Sequence, residues 1–142
     1  MLFRSNTYTV ANALSLSGTG YGSSGALYNS HASTGATASG NITLAGATTI
    51  ENDGTGTLTL SGTINNAQAL TITNNSSGTV ALNGAVGGGT ALSSISASGK
   101  INIGANITTS GTQAYSGAVT LTNTSTLTSS SSGNIKIGRA HV

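Results

Sequence analysis

One eight-residue pattern recurs along this chain and leaves few folds open to it. It reads TLTLSGTI at residues 57–64 and TVALNGAV at residues 79–86, with a glycine-shifted copy, KINIGANI, at residues 100–107. Apolar residues alternate with small polar ones, a glycine interrupts, and one more apolar residue follows. Alternation at period two marks a half-buried strand, and the glycine marks a bend or bulge. Looser copies are NITLAGATTI at residues 41–50 and AVTLTNTSTL at residues 118–127. The first apolar positions are Ile42, Leu58, Val80, Ile101, Val119 and Ile135, with steps of 16, 22, 21, 18 and 16 residues. One strand-turn unit repeated at this spacing predicts an all-β chain, a parallel β-helix (β-solenoid) of about six coils and roughly 30 Å in length.

The alternatives are disorder, helix and a compact domain. Thr, Ser, Gly and Asn supply 81 of the 142 residues, and only 4% are charged, a balance that also suits a disordered linker. Against disorder, the Leu, Ile and Val residues sit at strand period, and β-branched Thr favours strands. No stretch carries apolar residues at three-four spacing, which disfavours helix. One Phe, four Tyr and no Trp cannot fill a wide core. A solenoid needs less, because narrow coils bury one another by stacking. The absence of cysteine excludes a disulfide scaffold and thiolate metal sites.

Strands are predicted near residues 13–16, 41–44, 57–60, 69–73, 79–82, 93–97, 100–103, 118–122, 126–128 and 133–135. Their Leu, Ile and Val side chains, from Ile42 to Leu121 and Leu127, are expected to point inward. Thr, Ser and Asn should face out. Turns are marked at residues 52–56, 65–66, 74–78, 87–89 and 129–133. Residues 6–40 read as weakly patterned first coils and residues 41–135 as the repeats proper, with no linker between them.

The two ends carry a different signal. MLFRS can be encoded by GTG CTC TTC CGA TCT, and IGRAHV by ATC GGA AGA GCA CAC GTC. Read in opposite directions, these strings resemble one short-read sequencing adapter. Residues 1–5 and 136–142 are therefore expected to be non-native, and residues 6–135 an internal fragment. On that reading the basic balance dissolves. Without Arg4, Lys136 and Arg139 the chain keeps Lys100 against Glu51 and Asp53, a net charge of −1. No Lys/Arg cluster remains to track phosphates, so a nucleic-acid partner is not expected.

Residues 111–121 read GTQAYSGAVTL, followed by STLT at 125–128 and GNI at 133–135. This segment resembles the repeats of large bacterial adhesins of the filamentous-haemagglutinin type. TLTLSGTINN at residues 57–66 is similar to repeats of autotransporter passengers. The resemblance covers residues 41–135. It implies a right-handed parallel β-helix, secreted through an outer-membrane partner or barrel and displayed at the bacterial cell surface. A host-cell or glycan receptor would then be met by regions outside this chain, which serves as a structural stalk supporting adhesion. Uncapped coils would also invite end-to-end self-association.

Candidate chemistry is sparse, and the chain is not expected to be an enzyme. No catalytic, cofactor-binding or metal-binding residue is assigned. Glu51 and Asp53 are the only carboxylates, and such pairs can cleave glycosides. A polysaccharide-binding or polysaccharide-cleaving β-helix is the alternative function. ENDG, however, has turn composition, which favours a solvated turn. His31 and His141 find no acid or nucleophile to complete a site, and Gly87–Gly89 has no aspartate for a calcium repeat. Asn41, Asn74, Asn75, Asn106 and Asn123 each open an Asn-x-Ser/Thr triplet, a number that composition alone explains. Thr-x-Thr pairs at Thr57/Thr59, Thr71/Thr73, Thr120/Thr122 and Thr126/Thr128 suggest ice binding only if they align, and uneven coil lengths argue against that.

Overall fold

The structure, a computed structural model, describes residues 1–3, 8–30 and 33–141. The chain winds into a parallel β-solenoid of about five turns with three faces. The first face stacks Tyr8–Val10, Ala36–Ala38, Thr57–Leu60, Thr79–Leu82, Ile101–Ile103 and the end of Gln113–Leu121. The second stacks Leu14–Gly18, the start of Ile42–Asn52, Ile64–Asn65, a bridge at Val86, Ile107–Thr109 and Leu127–Ser129. The third stacks Leu27–Asn29, the end of Ile42–Asn52, Ala69–Asn74, Ser94–Ser98, the start of Gln113–Leu121 and the start of Ile135–His141, whose end continues onto the first face. Leu2–Phe3 lies on Leu27–Asn29. Every pairing is parallel, since each strand meets the strand one turn later. Among the described residues one 3-10 turn, Tyr21–Ser23, departs from strand and loop, and no helix is long and apolar enough to cross a membrane.

The register corrects the spacing read from sequence. Leu58, Val80, Ile101 and Val119 do fall in one column of the first face. Ile42 belongs to the second face and Ile135 to the third. The 16-residue steps are therefore distances between faces, not turn lengths. The first described turn is longer, because Tyr8 pairs with Ala36 across a loop between Gly18 and Ala26. All three faces share the same two-residue alternation, so the pattern reveals strands without saying which side of the coil they occupy.

The core is a narrow prism of aliphatic side chains. Ile42, Leu44, Leu58, Leu60, Ile64, Val80 and Leu82 are almost wholly buried. Leu121, expected inside, is instead 41% exposed, and Leu127 is only partly buried, because both lie in the last turns of the stack. Six strands were not expected: Leu2–Phe3, Tyr8–Val10, Leu27–Asn29, Ala36–Ala38, Ile64–Asn65, which begins where a turn was expected at residues 65–66, and Ile107–Thr109. Residues 113–117 and 48–52 also extend strands whose other halves were expected, carrying the chain from one face to the next.

The recurring glycine has a steric cause. Gly40, Gly62 and Gly84 stand above one another at the corner between the first and second faces. A methyl group on Gly62 would collide with the carbonyl of Gly40, and one on Gly84 with the carbonyl of Gly62. Close backbone approach between turns, not an unusual φ, selects glycine here. Each corner also closes a hydrogen bond to the turn before, such as Asn83 N–H to Leu60 O at 2.9 Å.

Candidate functional site

The two carboxylates come together on the outside of the third face. Ile50 and Asn52 point into the coil, so Glu51 between them points out. Its register partners are Tyr28 one turn before and Thr73 one turn after. Asp53 follows at the corner. The Tyr28 hydroxyl donates to Asp53 Oδ2 at 2.8 Å. Asn75, from the following turn, donates from Nδ2 to Glu51 Oε1 and to Asp53 Oδ1, each at 3.0 Å. Four side chains from three successive turns thus meet in one cluster. Tyr28 and Asn75 were missed as members of it. Only the register, which brings residues 22 to 25 positions apart into contact, could have found them.

Glu51 is nearly buried, and Asp53 is exposed. Burial pushes the Glu51 carboxyl above its ordinary range. The Asp53 charge and a hydrogen bond with Asp53 push it further, while the Asn75 amide pulls it back. Glycosidases hold two carboxyl groups about 5–5.5 Å or 6.5–9.5 Å apart, with sugar or water between. Here the Asn75 amide stands between the two carboxyls, 3.0 Å from each. The cluster is built for sharing hydrogen bonds between turns. Among the described residues no three His, Cys, Asp or Glu side chains gather as metal ligands would.

The remaining candidates are scattered. His31 lies outside the described residues. His141 contributes its backbone to a pairing with Thr120. The turn at Gly87–Gly89 is held by Asn65, whose Oδ1 accepts from Gly89 N–H at 2.9 Å and Thr90 N–H at 3.3 Å. The Thr-x-Thr pairs fall on all three faces: Thr57/Thr59 and Thr120/Thr122 on the first, Thr126/Thr128 on the second and Thr71/Thr73 on the third. On the first face Thr9, Thr37 and Thr59 align, and Ala81 and Asn102 then break the row. Of the Asn-x-Ser/Thr triplets, Asn74 is buried, and Asn41, Asn75, Asn106 and Asn123 are exposed.

Two buried polar assemblies escaped the sequence altogether. Asn29, Asn52 and Asn74 form a ladder inside the third corner. Asn29 Nδ2 donates to Asn52 Oδ1 at 2.7 Å, and Asn52 Nδ2 to Asn74 Oδ1 at 3.2 Å. Asn74 Nδ2 ends the run on the carbonyls of Gly78 and Lys100, at 2.9 and 3.1 Å. In GTQAYSG, Gln113 and Tyr115 are both inside the coil. Tyr115 donates to Gln113 Oε1 at 3.0 Å, and Gln113 Nε2 donates to Thr128 O at 2.8 Å and Ile107 O at 3.3 Å. The amide thereby ties the third face to the second across the core. Burial raises the Tyr115 phenol well above its ordinary value, so it stays a donor.

No family model, curated protein or solved structure matches the chain.

Proposed function

We propose that this chain is a stalk segment of a secreted bacterial surface adhesin. Its role is to add length, stiffness and protease resistance, and to present binding regions carried elsewhere in a longer protein. The observation that carries this reading is the continuous parallel register of the first face, from Tyr8–Val10 to Gln113–Leu121, with small polar side chains outward. The resemblance of residues 111–121 to adhesin repeats supports it. In that role the chain is not an enzyme and uses no cofactor. An outer-membrane partner or barrel exports it, and a host-cell or glycan receptor meets the regions it projects. The test is a long sequencing read across the encoding locus. More repeats on both sides, with an export signal upstream, are the expected outcome. A frame that opens at Met1 and closes after Val142 overturns the reading.

One observation favours a polysaccharide-binding role instead, namely a tyrosine seated on an acidic pair. Affinity electrophoresis through gels of neutral and acidic polysaccharides separates the two. Unretarded migration is expected for a stalk. Retardation that Tyr28→Ala abolishes would favour glycan binding.

A further inference from the structure

The chain carries one Asn-Gly step, Asn83–Gly84, and one Asp-Gly step, Asp53–Gly54. In an open chain an Asn-Gly step modifies itself, because glycine leaves its nitrogen unshielded and lets the backbone turn onto the preceding side chain. The Gly84 nitrogen gives up its proton and attacks Asn83 Cγ. The bond from Cγ to the side-chain nitrogen breaks, and ammonia leaves with that proton. Water then opens the succinimide ring at either carbonyl. One product is aspartate. The other is isoaspartate, whose main chain runs through the side chain and is longer by a methylene group.

The wound coil holds the reacting groups apart. Asn83 is exposed, so water reaches it. Its Oδ1 stands 2.9 Å from where a methyl group on Gly104 would be, so the amide leans along the stack toward the following turn. The Gly84 N–H points the other way. It donates to Leu60 O of the preceding turn at 3.1 Å, a carbonyl that also accepts from the Asn83 N–H at 2.9 Å. Attack therefore requires the Gly84 bond to open and the corner to rotate. Asp53–Gly54 repeats the arrangement. Asn29 O accepts from both N–H groups, at 2.8 and 3.2 Å, while Tyr28 and Asn75 hold the carboxylate. The product is constrained as well. Even a methyl group on Gly84 would meet the carbonyls of Gly62 and Ser61, so a longer main chain has no room at this corner.

We propose that Asn83–Gly84 is a one-way modification site gated by the unwinding of its own turn. While the turn is wound the step is silent. Once unwound it converts to isoaspartate, and the converted turn cannot rewind. Openings are rarer in the middle of a stack than at its frayed ends, and this step lies in a middle turn. The site thus records unwinding of the central coils, as an added negative charge and a broken corner. The inference is independent of both functional readings above.

The test keeps the full chain in mildly alkaline buffer, folded in one sample and unfolded by guanidinium chloride in another. Peptide mass spectrometry follows deamidation at Asn83, and enzymatic methylation of isoaspartyl carboxyls counts the product. In denaturant Asn83 is expected to react before any other asparagine. In the folded chain it should react slower by about tenfold or more, as a turn that opens rarely requires. Hydrogen exchange at the Gly84 amide supplies an internal gauge. Attack needs the same N–H released and a rotation besides, so protection from deamidation should equal or exceed protection from exchange. After dilution from denaturant, isoaspartate at position 83 should be confined to the unfolded fraction. An Asn83→Gln chain, whose ring closure is far slower, should refold after the same treatment as fresh chain does. Equal rates in the folded and unfolded samples, protection smaller than that of the Gly84 amide, or isoaspartate spread evenly through refolded chain would overturn the proposal. The first two comparisons need neither refolding nor a variant.

Discussion

Gly62 shows how much one hydrogen atom can matter in a stacked coil. Replacing it with alanine drives a methyl group into the Gly40 carbonyl, which is backbone and cannot rotate away. Gly62→Ala is expected to cost about 1–3 kcal/mol, as overpacked sites do, read as a lowered midpoint in urea. Gly88, at an exposed turn, would meet only an ordinary contact with the Ala85 side chain, so Gly88→Ala should be near neutral in the same assay. Glu51 sets a second expectation at this scale. Its folded carboxyl titrates above its ordinary value of 4.5, so the fold favours the protonated form. Its contribution to stability is complete below the ordinary value and is lost as pH rises through the folded one. Calorimetry should therefore find this contribution in full below the ordinary value and shrinking as pH rises above it, and Glu51→Gln should flatten that dependence.

At the scale of the strand, burial of polar side chains decides what sequence can reveal. Thr57–Leu60 and Thr79–Leu82 were legible because leucine and valine alternate there with threonine and alanine. Ala36–Ala38 was not, because two alanines and a threonine carry little apolar signal, although both alanines lie in the core. Leu27–Asn29 and the stretch at residues 113–117 hide for another reason. Asn29 and Gln113 are wholly buried, yet on composition alone both read as surface or turn residues. The acid pair was visible as a pair, but its partners Tyr28 and Asn75 belong to other turns and appear only once register is known. The ladder also gives a measurable expectation. Asn52→Ala removes the middle amide of the ladder and with it the hydrogen bonds from Asn29 Nδ2 and to Asn74 Oδ1 inside the corner, at about 1–3 kcal/mol for two lost buried hydrogen bonds. Tyr115→Phe removes one donor from Gln113 and should cost less, about 1–2 kcal/mol. Thermal melts followed by far-ultraviolet circular dichroism would rank the two.

Across the whole molecule, stability is a sum over turns and their contacts. The best-buried columns run through the middle, and large exposed apolar side chains gather toward the ends: Met1 and Tyr8 at one, Leu121, Ile135 and Ile137 at the other. Amide exchange is expected to be slowest between Leu58 and Ile107 and fastest in the first and last turns. Sedimentation velocity at rising concentration should show end-to-end growth, since each end offers parallel strands to the next copy. A strictly monomeric, folded sample at high concentration would count against it. The column of Gly40, Gly62 and Gly84 carries a further consequence, in the history such a gene can have. From Leu58 to Val80 the chain advances one turn and returns to the same three corners, with the same glycine waiting. A stretch of DNA spanning that one circuit can be copied or lost, and the joint closes on geometry already present. Length in this fold is a heritable quantity that changes in whole rungs, without any new contact having to be invented.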